Sequence, residues 1–152
     1  MRTFTSPAEL LAAQGETLGT SEWTEITQEQ VNTFAEATGD HQWIHVDVER
    51  AKAESPFGGP VAHGFLTLSL LPMLSWQIYT VEGTKLGVNY GMNKVRFPAP
   101  VPVGSRVRAT AVLSEVTEVG GGGLQLVVAS TVEREGSDKP VCVAEMVSRL
   151  YF

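Results

Sequence analysis

The sequence has little cysteine and little positive charge. Its single cysteine, Cys142, cannot form an internal disulfide, so we expect a cytoplasmic protein in a reducing compartment. Lys and Arg total 11 against 17 Asp and Glu, which gives a formal net charge of -6. Nucleic acid binding needs a broad basic surface, so this balance argues against nucleic acid as the main partner. A few local cations would still suffice to hold one phosphorylated ligand.

The sequence also lacks a long uninterrupted apolar run. The longest, residues 65–79, contains Pro72 and several polar residues and is shorter than the ~20 apolar residues of a membrane span. The first 16 residues, MRTFTSPAELLAAQGE, lack the apolar core of a signal peptide. We therefore expect neither membrane association nor export. Hydrophobic residues make up 43% and charged residues 18%, which predicts one packed globular domain over residues 1–152.

Helical signals come first along the chain. Residues 6–15 and 27–38 are predicted helices, and the second is opened by Thr27 with Gln30 at the capping-box position and closed by Gly39. A third, apolar helix follows Gly64. Because it is apolar nearly all round, we expect burial on most sides, with a kink or split at its proline.

The period changes to two after residue 83. Alternating apolar positions predict antiparallel strands over most of residues 86–151, with a bulge near Asn93 or Lys94, where the alternation slips by one residue. Such a sheet must bury one face, and the apolar helix is the obvious partner. The predicted fold class is α+β, a hot-dog fold in which an antiparallel sheet wraps around one long helix.

The stretch GDHQWIHVD, residues 39–47, carries the first candidate chemistry. Asp40 and His45 fall just past the predicted helix, and we expect them in a loop. A helix-end aspartate with a locally satisfied histidine is the ordinary interpretation. The alternative is an acid/base pair, since histidine exchanges a proton near neutral pH and a carboxylate beside it stabilises its charged form.

A metal site is a second alternative for the same stretch. His41 and His45 are four residues apart, a spacing that suits two ligands on one helix face. However, Gly39 ends the predicted helix before them, and no glutamate directly follows the first histidine as it does in the zinc-protease motif. We therefore predict no metal.

The stretch AHGFLTLSLL opens the apolar helix. The unpaired N–H of Gly64 could hold a carbonyl oxygen as negative charge develops on it, and glycine allows close approach. His63 is either a substrate contact or a residue that packs and hydrogen-bonds locally, and the second role is the more common one. Ser69 could face the same cleft, although no nucleophile elbow surrounds it.

Further along, Lys94, Arg96, Arg106 and Arg108 lie close together in sequence. Such charges are either a solvated sheet face or a local site for an anion.

Taken together, FAEATGDHQWIHVD, GGPVAHGFLTLSLL and VRFPAPVPVGSRV resemble the MaoC-like hydratases, the (R)-specific enoyl-CoA hydratases. The resemblance covers nearly the whole chain and is strongest to mycobacterial-type, nodulation-protein-N-like single-domain members. It implies a hot-dog homodimer with its two sheets side by side. It also implies reversible syn hydration of trans-2-enoyl-CoA to (R)-3-hydroxyacyl-CoA, with the coenzyme A thioester as substrate and no cofactor.

By the same resemblance, Asp40 and His45 match the acid/base pair and Gly64 the oxyanion donor. His63, Gln42 and Ser69 become candidate substrate contacts, and Lys94 and Arg96 candidate contacts to coenzyme A. Many members have asparagine and proline where this chain has Gln42 and Trp43, so chain-length preference is less well predicted than reaction type. A hot-dog acyl-CoA thioesterase and a non-catalytic acyl-binding module remain as alternatives.

Overall fold

The computed structural model describes residues 1–152, and its N-terminal third consists of short elements. These are β1 (Arg2–Phe4), α1 (Pro7–Ala12), β2 (Thr17–Thr20), β3 (Thr24–Glu25) and α2 (Gln28–Thr38). Both of these helices are capped, the second as predicted. The Ser6 hydroxyl accepts from the N–H of Glu9, and Thr27 and Gln30 make a reciprocal capping box. The strands β1 and β2 were not predicted.

The middle of the chain, which follows α2, is helical. It contains α3 (Trp43–Val46), α4 (Val48–Glu54), α5 (Gly64–Ser69) and α6 (Leu71–Ile78). The predicted apolar helix is split at Leu70, because Pro72 has no N–H to continue the hydrogen-bond ladder. The N–H of Leu74 still donates to Leu70 O at 3.0 Å, so α6 follows directly on α5.

The C-terminal half consists mainly of strands. Its strands are β4 (Tyr79–Val81), β5 (Leu86–Arg96), β6 (Arg106–Val119), β7 (Gly123–Arg134) and β8 (Pro140–Tyr151). The main sheet is antiparallel with the order β2-β6-β7-β8-β5, while β3 also pairs with β6, and β1 and β4 form a separate parallel pair. An antiparallel sheet packed on a central helix is the predicted α+β architecture.

One face of the sheet is buried against α6, as the alternation predicts. Leu71, Leu74 and Ile78 of α6 are in the core, together with alternate residues of β6: Val107, Ala109, Ala111 and Leu113. Burying each leucine or isoleucine side chain is worth about 1.5–3 kcal/mol. The core consequently fixes the helix and, through it, the position of Gly64 at the helix start.

Two details of the helix and the edge strand differ from expectation. The apolar helix is buried or half-buried on most sides, as expected, but one stripe is exposed, where Phe65 is 67% and Trp76 72% exposed. In β5 the register shifts at Asn93, as predicted, and also at Tyr90, which was not predicted. No helix combines the length and the hydrophobicity needed to traverse a bilayer.

Candidate active site

The segment that carries Asp40 and His45 leaves α2 through a glycine. Gly39 adopts the left-handed conformation (φ 79°), and its N–H donates to Ala35 O, which ends the helix as predicted. Asp40 follows in a short loop. The prediction of a loop is wrong for His45, which lies in the one-turn helix α3. The N–H of His45 donates to Gln42 O at 3.0 Å, so the backbone re-enters a helical turn directly after that residue.

His45 is held with one ring nitrogen unprotonated. The side chain is buried (7% exposed), and Nδ1 lies 2.6 Å from Val61 O. A carbonyl can only accept, so Nδ1 carries the proton and Nε2 keeps its lone pair. Burial lowers the pKa of His45 from its usual range, and His63 lowers it further. The hydrogen bond to Val61 and the charge of Asp40 oppose this shift.

Asp40 stands beside this ring with its carboxylate in solvent. Its side chain is 54% exposed, and Oδ1 accepts only a long 3.4 Å contact from the N–H of Gln42. One polar atom each of Asp40, His45 and His63 lie within 4.8 Å of one another. The structure thus brings the predicted acid and base together, at a separation that one water molecule can bridge.

His63, the residue before α5, lies underneath both of them. It is 2% exposed, and its ring stacks on His45 at a centroid distance of 3.8 Å and an interplanar angle of 27°. Its Nε2 donates to the backbone carbonyl of Asp40 at 3.0 Å. These contacts are the local packing and hydrogen bonding that the more common interpretation expects. A direct contact between His63 and a substrate stays a prediction.

The same three residues resemble a metal-binding set, but the ring geometry disfavours one. Zinc binds in the plane of an imidazole at about 2.0–2.1 Å from nitrogen. The rings of His45 and His63 are stacked with an interplanar angle of 27° and centroids 3.8 Å apart, so one ion cannot lie close to a nitrogen of each ring and in the plane of both. The alternative ligand His41 lies outside this cluster, exposed, with Nδ1 3.8 Å from a carboxylate oxygen of Glu36.

Gly64 begins α5 beside a groove of about 290 Å³. The His63 side chain does not cap this helix, and the first N–H groups of a helix have no intrahelical acceptor. A Cβ at Gly64 would lie 2.9 Å from the Phe97 ring, so a side chain here would collide with it. The groove is lined by Gly64 together with Ile44, Phe57, Val61, Ala62, Thr67, Phe97, Pro98, Ala99, Pro100, Val101 and Val141.

Two of these lining residues, Phe97 and Thr67, were not among the predicted site residues. Phe97 covers Gly64, and Thr67 lies three residues further along α5 with its hydroxyl buried and without a hydrogen-bond partner. The hydroxyl of a threonine in an apolar helix usually donates a hydrogen bond to a backbone carbonyl of the preceding turn. The sequence alone therefore does not mark Thr67 as a site residue. Its spacing of three from Gly64, on the same side of a helix, is the signal that could have identified it.

The remaining candidates lie outside this cluster. Gln42 is exposed, and Ser69 is exposed with its hydroxyl donating to Phe65 O at 2.7 Å. Lys94 and Arg96 are exposed on β5, and Arg96 directly precedes the residue that covers Gly64. Substrate contacts by these four residues stay predictions.

This chain is similar to known proteins over most of its length. The family model described as the MaoC like domain matches residues 9–135. The 3-hydroxyacyl-thioester dehydratase Z of Mycobacterium tuberculosis is 65% identical over 149 residues, 98% of each chain. Nodulation protein N of Rhizobium leguminosarum bv. viciae is 44% identical over 148 residues, 97% of this chain and 92% of that one.

A solved structure, the (R)-hydratase from A. caviae involved in PHA biosynthesis, superposes with a TM-score of 0.70. It covers 89% of this chain and 94% of its own at 22% identity, which supports the fold.

Proposed function

Because the chain belongs to the MaoC-like dehydratase family and is therefore a hydro-lyase, we propose that it hydrates trans-2-enoyl-CoA reversibly and with syn geometry to (R)-3-hydroxyacyl-CoA. The observation that carries the proposal is the Asp40–His45 pair. A carboxylate oxygen and a ring nitrogen lie within 4.8 Å of each other. Beside them, a glycine starts a helix whose first N–H groups have no intrahelical acceptor.

The base in hydration is His45. Its Nε2 lone pair takes a proton from a water molecule held between the ring and Asp40, and the water oxygen forms a bond to C3 of the enoyl thioester. The electron pair of the double bond moves onto the thioester oxygen as an enolate. The Asp40–His45 pair then returns the proton to C2 from the same face, which yields syn addition. General acid–base assistance of this kind contributes about 10²–10⁴-fold.

The enolate oxygen needs a donor, and the Gly64 N–H supplies it. Donors aimed at a developing oxyanion are worth about 10²–10³-fold in rate. The absence of a Cβ at position 64 lets the thioester carbonyl approach the backbone closely. With general acid–base and electrostatic assistance both coming from this chain's own groups, the reaction needs no metal or cofactor.

The substrate class is supported by sequence likeness. The dehydratase Z that shares 65% of its residues with this chain is named for 3-hydroxyacyl thioesters. Arg96 and Lys94 are the exposed cations of β5, and we assign them to the phosphates of coenzyme A. The (R) configuration is part of the proposal, and the similarity of the fold to that of an (R)-hydratase supports it. The cytoplasmic location expected from a single cysteine stays a prediction.

A homodimer completes the proposal. Three large apolar residues of the edge strand β5 are exposed, Leu86, Val88 and Tyr90, and so are Phe65 and Trp76 of the central helices. An unpaired strand edge that carries apolar side chains favours pairing with another chain. Two copies joined through β5 would set their sheets side by side and bring a second chain next to the Phe97 end of the groove.

The thioesterase alternative is less well supported. A hot-dog thioesterase would place a carboxylate on the central helix, and neither α5 nor α6 contains Asp or Glu. Cys142 offers no nucleophile either, because burial raises the pKa of its thiol to about 11. A non-catalytic acyl-binding module would not need an unprotonated imidazole beside a carboxylate.

The experiment is a hydration assay that follows the loss of the enoyl absorbance of crotonyl-CoA and of longer enoyl-CoA substrates. The product is resolved by chiral chromatography, and free thiol is measured in parallel. We expect (R)-3-hydroxyacyl-CoA and no thiol release. Asp40→Asn and His45→Gln should each lower kcat by about 10²–10⁴-fold without loss of fold.

The control is His41→Gln, which changes an exposed histidine of the same segment and should leave kcat within about twofold of wild type. Hydration by Asp40→Asn or His45→Gln at near wild-type rates would remove the acid/base assignment. Thiol release by the wild-type protein would support the thioesterase instead.

A further inference from the structure

We propose that His63 is a positioning residue that sets the spacing between Asp40 and His45, an inference that rests on the proposed hydratase function. His63 is nearly inaccessible, so it acts through its two neighbours rather than on the substrate. It touches the backbone of one member of the pair and the ring of the other. Four observations support this role.

The first is the anchor on Asp40. The His63 Nε2–H donates to Asp40 O at 3.0 Å, within the normal range. The other hydrogen bonds of Asp40 are long: its N–H lies 3.4 Å from the Thr38 hydroxyl, and its Oδ1 lies 3.4 Å from the N–H of Gln42. The loop after Gly39 is therefore held at Asp40 mainly by the His63 ring.

The second is the stack on His45. The two imidazoles are 3.8 Å apart, and the Phe34 ring lies 4.9 Å from His63. His45 also donates from Nδ1 to Val61 O. A hydrogen bond at one edge and a ring against one face together leave His45 a single orientation, and in that orientation Nε2 points away from Val61.

The third is the position of His63 on the central helix. It immediately precedes Gly64, and its carbonyl accepts the N–H groups of Leu66 and Thr67, so it is part of the first turn of α5. The same residue thereby ties the acid, the base and the proposed oxyanion donor to one rigid element. A site spread over three chain segments needs such a link to hold its geometry.

The fourth observation is which ring nitrogen of His63 carries the proton. Because Asp40 O can only accept, Nε2 carries the proton of His63, and its Nδ1 is buried without a hydrogen-bond partner. The hydrogen bond of His45 to Val61 O places the proton of that ring on Nδ1, so the two stacked histidines hold opposite tautomers.

The test combines a spectroscopic and a kinetic measurement. Heteronuclear NMR of the imidazole nitrogens should show the Nε2–H tautomer for His63 and the Nδ1–H tautomer for His45 in the wild-type protein. The tautomers of Asp40→Asn should be unchanged, because the acceptor is the backbone carbonyl. This measurement does not depend on any activity, so it separates the positioning role from the proposed reaction.

In the kinetic measurement, His63→Phe keeps an aromatic ring for stacking and removes the donor, while His63→Gln keeps a donor. A displacement of about 1 Å can cost about 10²-fold in rate. We expect kcat to fall by about that factor in His63→Phe and by less in His63→Gln, with KM for enoyl-CoA changed less than about threefold. His41→Phe makes the same substitution in an exposed histidine and should be neutral.

The proposal is overturned if folded His63→Phe keeps kcat within about twofold of wild type, or if His63 in the wild type is the Nδ1–H tautomer. If His63→Phe does not fold, His63→Gln and the wild-type tautomer decide. If the wild-type protein hydrates no enoyl-CoA but shows the expected tautomers, the proposed reaction fails while the positioning of Asp40 and His45 stands.

Discussion

A methyl group added at Gly64 probes the start of the central helix directly. The new Cβ would lie 2.9, 3.0 and 3.1 Å from three atoms of the Phe97 ring, well inside the ~3.5–4.0 Å of a favourable carbon contact. Overpacking typically costs about 1–3 kcal/mol. Because Phe97 is partly exposed and its ring can rotate, we expect Gly64→Ala to be destabilised by about 1 kcal/mol, or about 2–4 °C in Tm.

A double-mutant cycle with Phe97→Ala separates packing from catalysis. Removing the ring removes the collision, so the cost of the methyl group should vanish in the Phe97→Ala background. The coupling energy from urea unfolding should then be about 1–2 kcal/mol, within the range for residues in contact. The hydration rate should behave differently. If the thioester carbonyl binds at the Gly64 N–H, the methyl group blocks it in either background, and kcat/KM stays low in the double variant.

Two results would refute this reasoning. Unchanged stability of Gly64→Ala in the wild-type background would mean that the Phe97 ring does not cover the glycine. Recovery of kcat/KM together with stability in the double variant would mean that the methyl group acted only through Phe97, and that the oxyanion donor lies elsewhere.

Three further predictions follow from the same site and surface. Since burial lowers the pKa of His45, the neutral imidazole persists below the usual pKa of ~6.5. In the wild type, kcat/KM for hydration should therefore fall only at more acid pH. In His45→Gln this acid limb of the pH–rate profile should be absent. The unfolded state takes up this proton first, so stability measured by urea unfolding should fall as pH drops through ~6.5. Arg96→Gln should raise KM for enoyl-CoA several-fold but not for a short pantetheine thioester that lacks the phosphates, and Lys139→Gln should change neither. Val88→Lys should convert the dimer to a monomer in analytical ultracentrifugation, and a wild-type monomer would contradict the assembly.

Features encoded over a few neighbouring residues are predictable from this sequence. The capping box of Thr27 and Gln30 forms because both partners lie within one turn. Gly39 ends its helix because glycine adopts the left-handed conformation at little cost. Pro72 splits the apolar helix because it lacks an N–H. Each of these depends on local geometry that no distant contact needs to supply.

Features set by distant or absent contacts are not predictable in the same way. The parallel pair β1–β4 joins Arg2 to Tyr79 across most of the helical region, and each strand has only three residues. The register shift at Tyr90 leaves no trace in the hydrophobic pattern, because this part of β5 is exposed and either phase is permitted. Exposure of Trp76 depends on which side of the helix the sheet covers.

The candidate site divides in the same manner. Asp40, His45 and Gly64 carry recognisable chemistry in short motifs, and the resemblance joins those motifs into one reaction. The stack of His45 on His63 arises only when the loop after α2 meets the start of α5. No spacing along the chain reveals that one histidine supports the other, because 17 residues that include the whole of α4 separate them.

Contacts between distant residues also explain how the chain tolerates Gln42 and Trp43 where many family members have asparagine and proline. The Gln42 side chain is exposed, and the Trp43 ring lies under the Arg50 guanidinium at 4.3 Å. The contacts that hold the acid and the base come instead from backbone carbonyls paired with the two buried imidazoles. Changes at positions 42 and 43 therefore leave the acid/base geometry in place, and a substrate contact by Gln42 stays a prediction.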